Sequence, residues 1–139
     1  GIDGCGIPTY SLPLLAMARG MAQLADAQAL RSELREAAER LNAAVIAEPR
    51  FLGGTDSFCS KVVAETEGRV LAKLGAEGVY GAWIPQSGFG LAMKCEDGNA
   101  RATEVAMVAV LREFGYNLSF FSPLVIRWTG EVVGQFICA

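Results

Sequence analysis

Apolar and polar positions alternate along this chain with two different periods, and the change falls near Gly68. Upstream, SLPLLAMARGMAQLA places Leu12, Leu15, Met17, Met21 and Leu24 on a broad helical face after Pro13. The next stretch, DAQALRSELREAAERLNAAVIAEP, sets Leu30, Leu34, Ala37, Ala38, Leu41 and Val45 at helical spacing, with Arg and Glu opposite. Pro49 ends that helix, and Phe51-Leu52-Gly53-Gly54 reads as a turn. Thr55 or Asp56 is placed to cap a third helix over residues 56–67, which Gly68 closes.

After Gly68 the segments shorten. RVLAKLG, VYGAWIP and GLAMKCE are separated by Gly-rich or Pro-Gln-Ser-Gly turns, so residues 68–95 predict three adjacent antiparallel strands. DGNARATEVAMVAVLREFG predicts a helix over residues 99–114. Asp97 or Asn99 is its N-cap, Val105, Val108 and Leu111 are its inner face, and Gly115 follows its end. A loop through Ser122-Pro123 leads to VIRWTGEVVGQFIC, two strand-like pieces around Thr129-Gly130. Helices, strands, helix, strands is an α+β order, and 139 residues predict a single domain over 1–139.

Composition adds a surplus of apolar residues, 52% of the chain against 19% charged, as in a piece of a larger protein whose contact face is also apolar. No run approaches the roughly 18 apolar residues of a membrane span, and the opening GIDGCGIPTY lacks the basic and apolar pattern of a secretory signal. A net charge of −3 without a basic run argues against nucleic acid and anionic membrane as partners. Cys5, Cys59, Cys95 and Cys138 are far apart with no Cys-x-x-Cys pair, and the Ala-rich, loop-poor composition points to a reducing, cytoplasmic setting. There is no histidine, so any general base is Lys, Asp, Glu, Tyr or Cys.

Lys73 stands out among the charged residues. It ends an apolar strand and is followed by Leu74-Gly75-Ala76-Glu77-Gly78, so it either faces a cleft where the backbone bends away or is an edge-strand lysine kept for solubility. Lys94 in GLAMKCEDG has the same two readings. Cys5 sits between glycines behind Asp3, as a small buried hydrophobe or as half of a site. Cys59, on the first turn of the third helix, is either core-facing or tuned by the helix dipole. Glu77, between glycines in a turn, is the other carboxylate of interest. Cys95 and Cys138 have structural contexts, and Asp97, Asn99 and Arg101 read as cap and surface residues.

Four stretches taken together, DGCGIPTYSLPL, GTDSFC, AKLGAEGVYGA and GLAMKCEDGNARATEVA, with TGEVVGQF near the end, resemble the C-terminal half of the L-asparaginase II family. These are zinc-binding, serine-dependent asparaginases related in fold to class A β-lactamases and serine glutaminases. The resemblance implies hydrolysis of L-asparagine to L-aspartate and ammonia, zinc as cofactor and a homodimer. It makes Cys5 a zinc ligand with Asp3 in the active site, and Cys59 a further cysteine beside the metal, hence close to Cys5 and apart from Cys95 and Cys138. Lys73 becomes the active-site lysine of a Lys-x-Gly strand like the β-lactamase Lys-Thr-Gly, with Gly75 and Glu77 on the substrate side. Leu74 departs from the hydroxyl residue of that motif. The family's Ser-x-x-Lys nucleophile motif, a zinc-binding cysteine and a zinc-binding lysine belong to its N-terminal half. No Ser-x-x-Lys in this chain replaces that motif, so the partner implied is an N-terminal half. The alternatives are a non-catalytic fragment that binds zinc or a partner chain, and a glutaminase or β-lactamase-like hydrolase on the same scaffold.

Overall fold

The computed structural model describes residues 1–122 and 124–137. Pro123 and Cys138, expected in a loop and at a strand end, lie outside the described residues. Among the described residues, five α-helices, α1 (Leu14–Ala25), α2 (Ser32–Ala47), α3 (Arg50–Gly53), α4 (Phe58–Glu65) and α5 (Ala100–Glu113), accompany five strands. β1 (Leu71–Leu74), β2 (Val79–Ile84) and β3 (Phe89–Lys94) form an antiparallel meander, and β4 (Leu124–Ile126) pairs with β5 (Val132–Gln135) in a separate ribbon. The α+β class and the three adjacent strands are as the sequence predicts.

The register sorts the meander into two faces. Leu71↔Trp83↔Gly90 and Lys73↔Gly81↔Ala92 share one face, and Ala72↔Ala82↔Leu91 and Leu74↔Tyr80↔Met93 share the other. Small residues on the first face let α1 descend onto the sheet. A Cβ at Gly90 would lie 2.1 Å from the backbone nitrogen of Ala22, and one at Gly81 would lie 2.9 Å from Met21 Cε. Trp83 Nε1 donates to Asn42 Oδ1 (2.9 Å) and Asn42 Nδ2 donates to Leu24 O (2.9 Å), a polar clamp across β2, α2 and α1. Around it Ala25, Val45, Val63, Leu71 and Trp83 form one core cluster. The opposite face buries Val70, Ala72, Tyr80 and Ala82 against Phe58 and Val62 of α4 and Met107, Val108 and Leu111 of α5.

Four local expectations change. The cap of α4 is Ser57, whose Oγ accepts from Ser60 N (3.1 Å), because Asp56 is held at φ 58° in the preceding turn. Phe51–Gly53 belongs to α3, a single helical turn, before Gly54 turns away at φ 94°. The stretch read as one helix from Asp26 is a 3-10 turn at Ala27–Ala29 and then α2, with a break at Leu30 and Arg31. On α2, Ala38 and Val45 are buried, whereas Leu34 and Leu41 remain 48% and 45% exposed. For α5, Asn99 caps and Asp97 supports it by accepting from Asn99 N (2.8 Å).

Candidate functional site

Lys73 lies at the edge of the meander, on the face that α1 covers, opposite Gly81. Its side chain is exposed, and its Nζ donates to the carbonyl of Leu74. The chain then turns through residues 75–78. Gly75 N donates to Val79 O (2.8 Å), and Glu77 and Gly78 take φ 56° and 66°. A left-handed pair closes this hairpin and glycine supplies one of its positions without strain. Glu77 is exposed, with its carboxylate over Gly98: a Cβ there would lie 2.7 Å from Glu77 Oε2. Lys94 Nζ reaches back from β3 to donate to Glu77 O (2.6 Å), bracing the turn from the neighbouring strand.

Asp3 and Cys5 belong to a small closed loop before α1. Ile2 bridges Pro8, Gly6 N donates to Asp3 O (2.8 Å), and Gly4 N donates to Asp3 Oδ1 (2.7 Å), which leaves Cys5 exposed at the tip. The loop leads into α1 at the same end of the sheet as the Lys73–Glu77 hairpin. There Leu14, Ala92, Met93, Lys94 and Cys95 line a recess of about 380 Å³ with Thr103 of α5. Among the described residues, no hydrogen bond or ion pair joins Lys73 to Asp3, Cys5 or Glu77. Cys95 Sγ donates to Asp97 Oδ1 (2.9 Å), and that bond, with the amide of Asn99, holds the Asp97 carboxyl below the usual aspartate range.

Cys59 is placed quite differently from Cys5. It is 1% exposed, accepts from Leu74 N (3.2 Å) and donates to Tyr80 Oη (3.5 Å), with Phe58 packed edge-on to the Tyr80 ring. Burial is the largest cause that pushes the Tyr80 hydroxyl well above the ordinary tyrosine range, so it stays protonated. Among the described residues, no three His, Cys, Asp or Glu side chains gather as a metal site. Sequence reasoning passed over Tyr80 and gave Lys94 no bracing role. Nothing in the sequence marked Tyr80, because its place opposite Leu74 follows only from the strand register.

With this geometry in place, comparison with protein families decides the assignment. The family model described as L-asparaginase II matches residues 1–137. The chain belongs to the L-asparaginase II family. It is thereby an asparaginase-type amidohydrolase at the level of family. No individual curated protein matches the chain. Among the described residues, no helix is long and apolar enough to cross a membrane.

Proposed function

We propose that the chain supplies the lysine-bearing strand of an L-asparagine amidohydrolase whose serine nucleophile and Ser-x-x-Lys motif come from a complementary N-terminal half. The observation that carries this is Lys73 itself. A family member without histidine presents an exposed lysine on a sheet edge, one residue before a glycine turn that is braced from the next strand.

In the reaction, the serine oxygen attacks the side-chain amide carbon of asparagine, and its proton passes to a lysine of the Ser-x-x-Lys segment. Lys73, as an ammonium, stabilises the negative charge that develops on the amide oxygen. The Ser-x-x-Lys lysine gives the proton to the amide nitrogen as the C–N bond breaks, ammonia leaves, and water hydrolyses the acyl-serine ester to aspartate. Glu77 accepts from the α-ammonium group of the substrate. Gly75, whose N–H is already committed to Val79, lets the chain turn tightly against Val79 just after Lys73. Asp3 orients the proton-carrying groups from the loop before α1.

Zinc requires a separate test of fit. A zinc-bound cysteine needs an unencumbered thiolate and a path for the ion. Cys5 meets both conditions from its exposed tip, with the other ligands drawn from the complementary half. Cys59 meets neither, so the pair does not fit as joint ligands and no step is routed through the metal.

The test is to express the chain with the complementary Ser-x-x-Lys segment and compare Lys73→Met with the parent. Asparagine hydrolysis is expected to fall by at least about a hundredfold, the lower range for an acid–base or charge-stabilising group, with circular dichroism unchanged. Near-parental activity would return Lys73 to the role of a solubility residue, and an assembled parent without any hydrolysis would favour a binding module.

A further inference from the structure

We infer that Cys59 is a positioning residue for Lys73, holding the strand at Leu74 through its thiol, rather than a ligand for zinc. The inference rests on the role proposed above for Lys73. β1 is an edge of the meander, so the Leu74 N–H has no strand partner. Leu74 is half-buried, and an amide left unpaired there would be costly. The sulfur of Cys59 accepts that N–H at 3.2 Å and donates its own S–H to Tyr80 Oη at 3.5 Å. Tyr80 is the residue directly opposite Leu74 on β2. One thiol therefore ties helix α4 to both strands of the hairpin at the step that immediately follows Lys73.

The anchor is itself fixed. Ser60 Oγ donates to Gly54 O (2.8 Å) and Pro49 O (3.0 Å), which pins the first turn of α4 to the preceding loop. Gly53 packs directly against the same turn, and an added Cβ there would lie 2.8 Å from Cys59 Cβ. A metal ion could reach this sulfur only by displacing its S–H from Tyr80 and opening the packing that leaves the residue 1% exposed. A shift of Leu74 would carry the Cα of Lys73 with it, and displacements of this kind are felt strongly in a preorganised site.

Serine distinguishes the two roles, because it keeps a donor and an acceptor but is a poor zinc ligand. Cys59→Ser and Cys59→Ala are compared with the parent by hydrogen exchange at the Leu74 amide and by equilibrium dialysis with zinc alone. Asparagine turnover and its pH profile are measured in the assembled enzyme. Leu74 exchange is expected to quicken about tenfold in Cys59→Ala, the size of one lost hydrogen bond, and to stay near the parent in Cys59→Ser. The kcat should fall several-fold in the alanine variant with KM within about twofold, and recover in the serine variant. Zinc uptake should be the same in all three. A loss of zinc in Cys59→Ser would overturn the inference, as would unchanged Leu74 exchange and kcat in Cys59→Ala. If Cys59→Ala fails to fold, Cys59→Ser alone decides, by keeping or losing kcat and zinc. A silent Lys73→Met would instead remove the catalytic reading, while the Leu74 exchange would still report the clip.

Discussion

Tyr80 and Glu104 lie on the side of the meander that α5 covers, and both are held towards their neutral forms. For both the first cause is burial. A raised pKa in the folded state stabilises at pH values below the unfolded pKa and is lost above it. For Glu104 the loss sets in above about pH 4.3, so at neutral pH the burial of this side chain is a net cost to the folded chain. Glu104→Gln is expected to raise the melting temperature at pH 7, with the gain fading as the pH drops below about 4. For Tyr80 the loss sets in near pH 10. Stability should decline as the pH rises past that point, and Tyr80→Phe should flatten the decline. The same variant leaves the Cys59 S–H without its acceptor and should cost about 0.5–1.5 kcal/mol at pH 7. Thermal melts across the pH range check both residues.

Helix α1 and strand β3 meet through glycine, and the two glycines nearest this contact should respond in opposite directions. Gly90 has the α1 backbone over it, so Gly90→Ala forces helix and sheet apart and should cost about 1–3 kcal/mol. Gly20 lies inside α1 with nothing within 4 Å of a new Cβ, so Gly20→Ala should stabilise by about 0.5–1 kcal/mol. Denaturant titrations of the two variants supply the comparison. The meander and α5 were legible because their signals are local: glycine-bounded alternation, an Asn99 cap and Gly115 after the last turn. The 3-10 turn that delays α2 until Ser32 was not, since Ala27-Gln28-Ala29 is as good a helix former as its neighbours. What overrides it is tertiary: Asn42 clamped to Leu24, and Arg35 donating to the carbonyls of Gln28 and Leu30. In the site, Lys73 and its turn were visible as a lysine before a glycine run. The Leu74–Cys59–Tyr80 chain was not, because it depends on a strand register and on a helix seated against an edge.

At the scale of the whole molecule, the apolar surplus of the composition reappears on the surface. Leu34 and Leu41 of α2, Leu12 and Leu15 around the start of α1, and Ile126 and Val132 of the β4–β5 ribbon are all open to solvent. The two tryptophans report on this from opposite positions, Trp83 at 3% exposure beneath Asn42 and Trp128 at 98% on the ribbon turn. Acrylamide should quench only part of the emission, and the accessible part should be lost in Trp128→Phe. Association with a complementary half, or with a second copy as the homodimer implied by the family resemblance would require, should shield the accessible fraction if the ribbon is covered. Sedimentation at several concentrations tests the second copy. The order of strands has a consequence in time as well. β1, β2 and β3 pair only with their sequence neighbours, across turns at residues 75–78 and 85–88, and local closures of this kind form within about 1–10 μs. Docking α1 onto β3 must close a far longer loop, and long closures are slower. Lys73 would thus be set in its hairpin while the α1 face of the sheet is still bare. Pulse-labelled amides of residues 71–94 should gain protection before those of residues 14–25.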